Sequence, residues 1–90
     1  MKQDAAFFEG SEPILIYIAK RLREAIRLES LLTAANLDYA VEADQYSGGI
    51  IFRSERVGAF FYVLPETLDA AHGVLRANGY RPQPLEEPIR

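Results

Sequence analysis

The chain has 90 residues, of which 49% are hydrophobic, and its formal net charge is −3. This length is typical of a single domain that buries roughly 60–65% of the surface its unfolded chain exposes, and the composition excludes a disordered protein. The acidic balance disfavours nonspecific binding of nucleic acid. The chain contains no cysteine and one histidine, which excludes a thiolate metal site and predicts neither a metal nor a cofactor. No apolar run approaches the roughly 18 residues of a membrane span, so the sequence predicts a cytoplasmic protein without membrane or nucleic-acid partners.

The first 12 residues are predicted to form a leader that precedes the folded domain. Ala5–Phe8 is apolar, and Glu9–Pro13 is typical of a turn. Ile14–Ile18 then predicts the first strand, because it is β-branched and aromatic and is apolar on both faces, as a central strand should be. The predicted organisation is a leader at 1–12, one domain at 13–81 and a proline-rich tail at 82–90.

A helix, a tight exit and a second strand are predicted between residues 19 and 43. Apolar residues recur at helical spacing and should face the core. This stripe is formed by Leu22, Ala25, Ile26, Leu28, Leu32 and Ala35. Asn36 follows at the position where a helix end favours a residue with positive φ. Leu37, Tyr39 and Val41 then recur at every second position, which predicts a half-buried strand.

Basic residues concentrate in the first half of this helix. Lys20, Arg23 and Arg27 lie on one side of the cylinder, at i, i+3 and i+7, and Arg21 lies beside them. One interpretation is a patch that binds an anion or a nucleic acid. The other is a solvated face on which Glu24 pairs locally with Lys20. Cations near a helix start oppose the helix dipole, which favours the solvated face.

The segment from 44 to 58 is predicted to contain a candidate ligand loop. Gly48 and Gly49 are typical of a turn and lack the spacing of either phosphate-binding glycine motif. Ile50–Arg53 predicts a short third strand, and Ser54–Gly58 predicts the turn before a strand at Ala59–Leu64. One long bent strand with a bulge near Gly58 also fits. The candidate ligand residues are Asp44, Tyr46, Gly48, Gly49, Arg53 and Arg56.

A second helix and an extended tail complete the chain. Pro65 is typical of the first turn of a helix, and Gly79 of the residue that follows its end. The apolar stripe of this helix is formed by Leu68, Ala71, Val74 and Leu75. His72 is interpreted as an ordinary histidine on the helix surface. Three prolines within seven residues exclude a regular central strand in the tail, although Tyr80 and Leu85 could anchor an extended edge segment.

The element order predicts an α+β two-layer sandwich of the ferredoxin-like kind, with an antiparallel sheet and both helices on one face. Parts of the sequence resemble the DUF2007 family of small bacterial signal-transducing domains. These parts are Glu24-Ala25, the run Leu31-Leu32-x-Ala-Ala-Asn-Leu-Asp-Tyr-Ala-Val, and Tyr62-Val63-Leu64-Pro65-Glu66 with the helix through Leu75. The resemblance covers residues 14 to 75 and implies a ferredoxin-like regulatory domain. Asn36 stands where the family pattern has glycine, and residues 44–58 have no counterpart in that pattern.

Three functions are compatible with these features. The first is a small regulatory binding module, not an enzyme, that acts through oligomerisation and binds a small molecule or a protein. The second is an enzyme that uses acid–base groups near residues 42–46, such as Glu42 or Asp44 beside Tyr46. No pairing of a nucleophile with a base supports that alternative. The third is a ferredoxin-like RNA-binding domain, which the acidic balance and the lack of an aromatic RNA-binding sequence motif disfavour.

Both faces of the predicted central strands are apolar, which indicates that two copies of the chain associate. The face without helices is predicted to carry Leu15, Tyr17, Phe60 and Tyr62. If these side chains were left in water, they would form an apolar patch larger than monomers usually tolerate. The sequence therefore predicts a homodimer joined through this face, with the leader or the tail at its rim.

Overall fold

A computed structural model describes residues 1–3, 8, 10–48 and 54–83. The strands are β1 (Lys2–Gln3), β2 (Ile14–Ala19), β3 (Tyr39–Gly48) and β4 (Ser54–Val63). The helices are α1 (Leu22–Ala34) and α2 (Leu68–Ala77), and a 3-10 turn at Pro65–Thr67 leads into α2. The fold class is α+β, as predicted. No helix in these ranges is both long and apolar enough to cross a membrane.

The sheet has four strands in the order β1-β3-β4-β2. β4 pairs antiparallel with both β2 and β3, so these two strands run parallel to each other on either side of it. α1 supplies the long crossover that a parallel pair requires. The prediction of a wholly antiparallel sheet was wrong at one edge, because β1, which lies within the predicted leader, pairs parallel with β3. Lys2 Nζ also lies 3.3 Å from Glu29 Oε2 of α1, which ties this edge strand to the helix.

Both helices pack on the same face of the sheet and bury one continuous core. Its members are Ile16, Ala19, Ala25, Leu28, Leu32, Tyr39, Phe61, Val63, Ala71 and Leu75. The prediction that Leu22 and Ile26 belong to the core was wrong, since they are 77% and 56% exposed. At about 100° per residue, both lie roughly 90° or more from the centre of the face formed by Ala25, Leu28 and Leu32.

A bulge in β2 decides which of its side chains face the helices. Leu15 pairs with Tyr62, whereas Tyr17 pairs with Phe61, so Ile16 is an extra residue in the ladder. An extra residue shifts the alternation by one position. Tyr17 therefore lies on the helix side, where it contacts the core, and its assignment to the helix-free face was wrong. Ile18 takes its place there, opposite Phe60.

The long antiparallel hairpin replaces the predicted loop and turn. β3 continues through residues 44–48 and β4 already begins at Ser54, so Asp44, Tyr46 and Arg56 are strand residues. The pairing of β3 with β4 is regular from Ala40 to Gly48, with no bulge near Gly58. The predicted strand at Ile50–Arg53 lies outside the described residues. The turn was predicted within 54–58 because glycine is typical of turns. In the structure, Gly58 instead lies inside β4.

Both helices end in the same hydrogen-bonded motif, which confirms the predicted caps at Asn36 and Gly79. Asn36 has a φ of 63° and Gly79 a φ of 84°. The Asn36 N–H donates to Thr33 O, and the next N–H donates to Leu32 O. The corresponding bonds at α2 run from Gly79 to Arg76 O and from the following residue to Leu75 O. This pair of hydrogen bonds is the Schellman motif. The residue with positive φ and the one after it donate to carbonyls that the helix leaves free.

Replacement of Asn36 tests this geometry directly. Asn36→Gly should leave the free energy of unfolding unchanged or raise it, because glycine adopts positive φ without a Cβ penalty. Asn36→Val should lower it by more than about 1 kcal/mol, since a β-branched residue is strained there. Urea unfolding followed by circular dichroism measures both. Equal stability of the two variants would contradict the left-handed cap.

Some described residues outside the central elements also lie against the sheet. The Gln83 N–H donates to Ile16 O at 2.7 Å, so the described part of the tail meets the outer edge of β2. Leu85, the other predicted anchor, is outside the described residues. On the helix-free face, Phe8 is 5% exposed and lies with Pro13 beside Ala40 and Tyr62. Part of this face is therefore covered by the chain's own leader.

Candidate functional site

A groove with a volume of about 530 Å³ opens where β2 passes into α1. Its walls come from the end of β2, the first two turns of α1 and the residue that follows the cap of α2. The lining residues are Tyr17, Ile18, Lys20, Arg21, Arg23, Glu24, Arg27 and Tyr80. Four of these eight are cationic and one is a carboxylate, so a strongly basic groove lies on a protein with a net charge of −3.

Glu24, the carboxylate of the groove, has both oxygens occupied. Its Oε1 accepts the Lys20 N–H at 3.2 Å, and its Oε2 accepts the Tyr17 hydroxyl at 3.0 Å. The first bond satisfies a backbone donor at the helix start, much as an acidic residue does in a capping box. Burial, followed by the bond to Glu24 and its negative charge, raises the pKa of Tyr17 to about 12. Tyr17 therefore stays protonated and keeps donating to Glu24 at neutral pH.

The cationic side chains of the groove are not engaged in ion pairs within the described part of the chain. Lys20, Arg21, Arg23 and Arg27 form no ion pair with any carboxylate in the described ranges. Lys20 Nζ instead lies 5.3 Å from the centroid of the Tyr46 ring, a separation that permits a cation–π contact. Arg23 and Arg27 lie one turn apart, where like charges destabilise a helix by a few tenths of a kcal/mol. A negatively charged ligand would relieve this repulsion.

Two tyrosine rings form the less polar side of the groove. Tyr17 and Tyr80 pack edge to face, with ring centroids 5.4 Å apart and an interplanar angle of 80°. The Schellman motif of α2 places Tyr80 here, and the bulge in β2 turns Tyr17 towards it. Both side chains remain half-exposed. The Tyr80 hydroxyl has no hydrogen-bond partner within the part of the chain that the structure describes.

The residues predicted as a ligand loop lie on the outer half of the hairpin. Asp44, Tyr46 and Arg56 share the helix-free face, with Tyr46 directly opposite Arg56. Gly48 pairs with Ser54 at the last described rung of the hairpin, whereas Gly49 and Arg53 lie outside the described residues.

The contact between Tyr46 and Lys20 brings this predicted set next to the basic groove. A Cβ on Gly58 would lie 3.0 Å from both Tyr46 Cε1 and Ile18 Cγ2, so glycine allows the two side chains to approach across the strand. The hairpin face and the groove are thus joined through Tyr46 and Lys20.

The helix-free face carries three of the four residues predicted for association. Leu15, Phe60 and Tyr62 lie there and are half-buried, whereas Tyr17 lies on the opposite side. Burial raises the pKa of Tyr62, and the charges of Glu42 and Asp44 raise it further. Tyr62 therefore stays protonated at neutral pH, which does not favour a catalytic tyrosine base in this region.

His72 lies half-buried on α2, away from the groove. Its Nε2 is enclosed and has no hydrogen-bond partner among the described atoms. Burial lowers its pKa below 6.5, and Arg76 lowers it further, while Asp69 acts in the opposite direction. His72 is thus more buried than the ordinary surface histidine that the sequence predicts.

The lowered pKa of His72 predicts a stability that depends on pH. As the pH falls below about 6.5, the unfolded chain takes up a proton at His72 before the folded chain does. The free energy of unfolding should then fall, until the folded group is protonated too. Urea unfolding between pH 7.5 and 5 should show a steeper fall for the native sequence than for His72→Gln, which cannot titrate. Parallel pH profiles would contradict a lowered pKa.

Comparisons with family models, with curated proteins and with solved structures found no match to this chain. The resemblance to the DUF2007 family therefore stays a prediction. Within the described ranges, no three histidine, aspartate or glutamate side chains converge as metal ligands would. The groove is therefore the feature of the described structure that points to a function.

The sequence grouped three cations of this groove but favoured a solvated face for them, and it missed the tyrosines. The helical spacing of Lys20, Arg23 and Arg27 already placed them on one side of α1. Tyr17 was assigned to the wrong face because the bulge in β2 has no sequence signal of its own. Tyr80 was recognised only as an anchor, although its position directly after Asn78-Gly79 was a usable signal for a residue packed beside a helix end.

Proposed function

We propose that this protein is a small, non-enzymatic binding module that takes up an anionic ligand in the groove at the start of α1. The observation that carries the proposal is the set of four cationic side chains that line one groove without a paired carboxylate in the described ranges. The one carboxylate present, Glu24, is held by Tyr17 and by the Lys20 amide.

The chemistry of the cations favours a ligand with phosphate or carboxylate groups. Arg21, Arg23 and Arg27 each present a planar fork of donors that matches such groups in a bidentate manner. A solvated basic face would carry the same charges, but it would not need a wall of two tyrosine rings beside them. A volume of about 530 Å³ lies within the range of small-molecule sites.

Titration with inorganic pyrophosphate tests the proposal. Two-dimensional NMR of the backbone amides should show saturable shifts centred on residues 20–27 and Tyr80. Arg23→Gln combined with Arg27→Gln should weaken binding by about tenfold or more, because a hydrogen bond to a charged group contributes about 1.5–3 kcal/mol. The affinity should also fall with added salt, since these charges are exposed.

A matched control separates a local site from general charge. Lys2→Gln combined with Arg76→Gln makes the same change in net charge at exposed positions outside the groove. This variant should bind pyrophosphate within about twofold of the native affinity. Shifts that do not saturate, or equal losses in both double variants, would refute a binding site in the groove.

We also propose that β2, α1, β3, β4 and α2 form a ferredoxin-like unit. Two features support this: the order β3-β4-β2 around an antiparallel centre, and the crossover through α1 between the outer two strands. The edge beyond β2, where such a unit has its fourth strand, is occupied at Gln83 by the tail. β1 then extends the opposite edge.

We further propose that two copies associate through the helix-free face of the sheet. Leu15, Ile18 and Phe60 form an adjoining apolar set on β2 and β4, and Phe8 lies at the Ala40 end of this face, beside Tyr62. Of this apolar set, only Ile18 also lines the groove, so a small ligand there would leave Leu15 and Phe60 available and the two proposals are compatible.

Phe60→Lys is expected to separate such a dimer without unfolding the chain. Lysine would disrupt an apolar interface, whereas in the monomer it would lie directly opposite Glu42 of β3, a favourable cross-strand pair. Light scattering at micromolar concentration measures the mass, and circular dichroism checks the fold. Val57→Lys is the control, because Val57 is 64% exposed on the other face of β4. A native protein with the mass of one chain would contradict the dimer.

A further inference from the structure

We infer that the ligand of the groove is a nucleotide, whose phosphates bind the arginines and whose base packs against the Tyr17–Tyr80 pair. This inference rests on the proposed anion-binding function and adds the chemical class of the ligand. It depends on the division of the groove into a cationic side and an aromatic side.

The shape and lining of the groove favour a ligand with two unlike ends. A volume of about 530 Å³ far exceeds the space that a single phosphate needs, and sites of this size enclose drug-sized molecules. Arg23 and Arg27, one turn apart on α1, offer guanidinium groups for adjacent phosphates. Tyr17, Ile18 and Tyr80 offer two aromatic rings and an aliphatic side chain, so the remainder of the ligand should be uncharged and flat.

The two tyrosines are suited to a planar ring. Both rings line the groove and remain partly exposed, so a third ring can pack on the surface that they present there. The Tyr80 hydroxyl has no hydrogen-bond partner among the described residues and can serve the polar edge of a base or a ribose hydroxyl. Every base has a flat face that can stack on an aromatic side chain, so the tyrosine pair favours a nucleotide but does not discriminate between bases.

Charge distribution favours a single nucleotide over a nucleic acid. The basic groove is short, and carboxylates lie on the surfaces around it: Glu29 is farther along α1, and Glu42 and Asp44 lie on the helix-free face. A long polyanion would meet these charges as it left the groove, on a protein whose net charge is −3. One small ligand can be neutralised within the groove itself.

The test compares three probes on the native chain by calorimetry: ADP, inorganic pyrophosphate and single-stranded RNA oligomers of increasing length. We expect ADP to bind about tenfold or more tightly than pyrophosphate, since stacking adds to phosphate binding. Equal affinities would overturn the nucleotide inference and leave the anion-binding function intact. Failure of both ADP and pyrophosphate to bind would overturn the proposed function. RNA that binds more tightly than ADP, with an affinity that rises with length, would assign the groove to a polymer instead.

A variant of the aromatic wall tests the division of the groove. Tyr80→Leu keeps an apolar side chain at this position but removes the ring. ADP should then no longer bind about tenfold more tightly than pyrophosphate, whereas pyrophosphate should bind within about twofold of its affinity for the native chain. Tyr80→Phe keeps the ring and should retain most of the preference for ADP. An unchanged ratio of the two affinities in Tyr80→Leu would overturn the role of the tyrosine pair.

Discussion

Replacement of Phe61 with alanine is expected to lower the free energy of unfolding by about 3–5 kcal/mol. Phe61 is fully buried at the centre of the sheet, where its ring stacks on Tyr39 at a centroid distance of 6.2 Å. It lies in β4, the strand that pairs with both β2 and β3. A cavity at this position would remove contacts with both neighbouring strands and with the helix layer, and the packed elements around it have little freedom to close it.

Phe60→Ala is the matched control for this expectation. The same residue type lies one position away on the same strand, but on the opposite face and half-buried. Its replacement should cost clearly less than that of Phe61 when both are measured by urea unfolding. A larger loss at Phe60 would mean that the helices cover the other face of the sheet.

Leu32→Ala is expected to lower the free energy of unfolding by about 2–5 kcal/mol, the range measured for buried leucines. Leu32 is fully buried in the last turn of α1. Its carbonyl also accepts the Leu37 N–H of the cap, so its side chain packs where the helix gives way to β3. For a domain with about 5–15 kcal/mol of total stability, this loss is a substantial fraction.

Ile26→Ala provides the comparison on the same helix. Ile26 is 56% exposed, and a surface substitution of this kind usually changes stability by no more than about 0.5 kcal/mol. The sequence pattern alone treats the two positions as equivalent members of one stripe. Similar losses at Leu32 and Ile26, or an unchanged midpoint for Leu32→Ala, would contradict the observed orientation of α1.

The groove and the core make opposite contributions to stability. The side chains of core residues such as Leu28 and Leu75 are apolar and fully buried, and their substitution should only destabilise. Arg23 and Arg27 repel each other in the free protein, so their replacement by glutamine should leave stability unchanged or raise it slightly while binding is lost. This pattern is typical of residues kept for function at a small cost in stability.

The sequence by itself determined the features that depend on local backbone chemistry. The alternation of Leu37, Tyr39 and Val41 identified the buried side of β3, and the left-handed caps at Asn36 and Gly79 followed from conformations that few residue types adopt. Helical spacing likewise placed Lys20, Arg23 and Arg27 on one side of α1. Each of these properties involves residues within a few positions of one another, so no knowledge of distant contacts was needed.

Tertiary structure alone decided the features that depend on pairing between distant segments. The bulge at Ile16 arises from the register of β2 against β4, and it moves Tyr17 from the helix-free face into the groove. The pairing of Lys2 with Tyr39 adds an edge strand that two residues could not signal by periodicity.

Which face of α1 is buried depends likewise on how the helix lies on the sheet. In this orientation Leu22 and Ile26 are exposed. A single shift in register reverses the face of every later side chain in a strand. For this reason the cations of the groove could be predicted from the sequence, whereas its tyrosine wall required the assembled sheet.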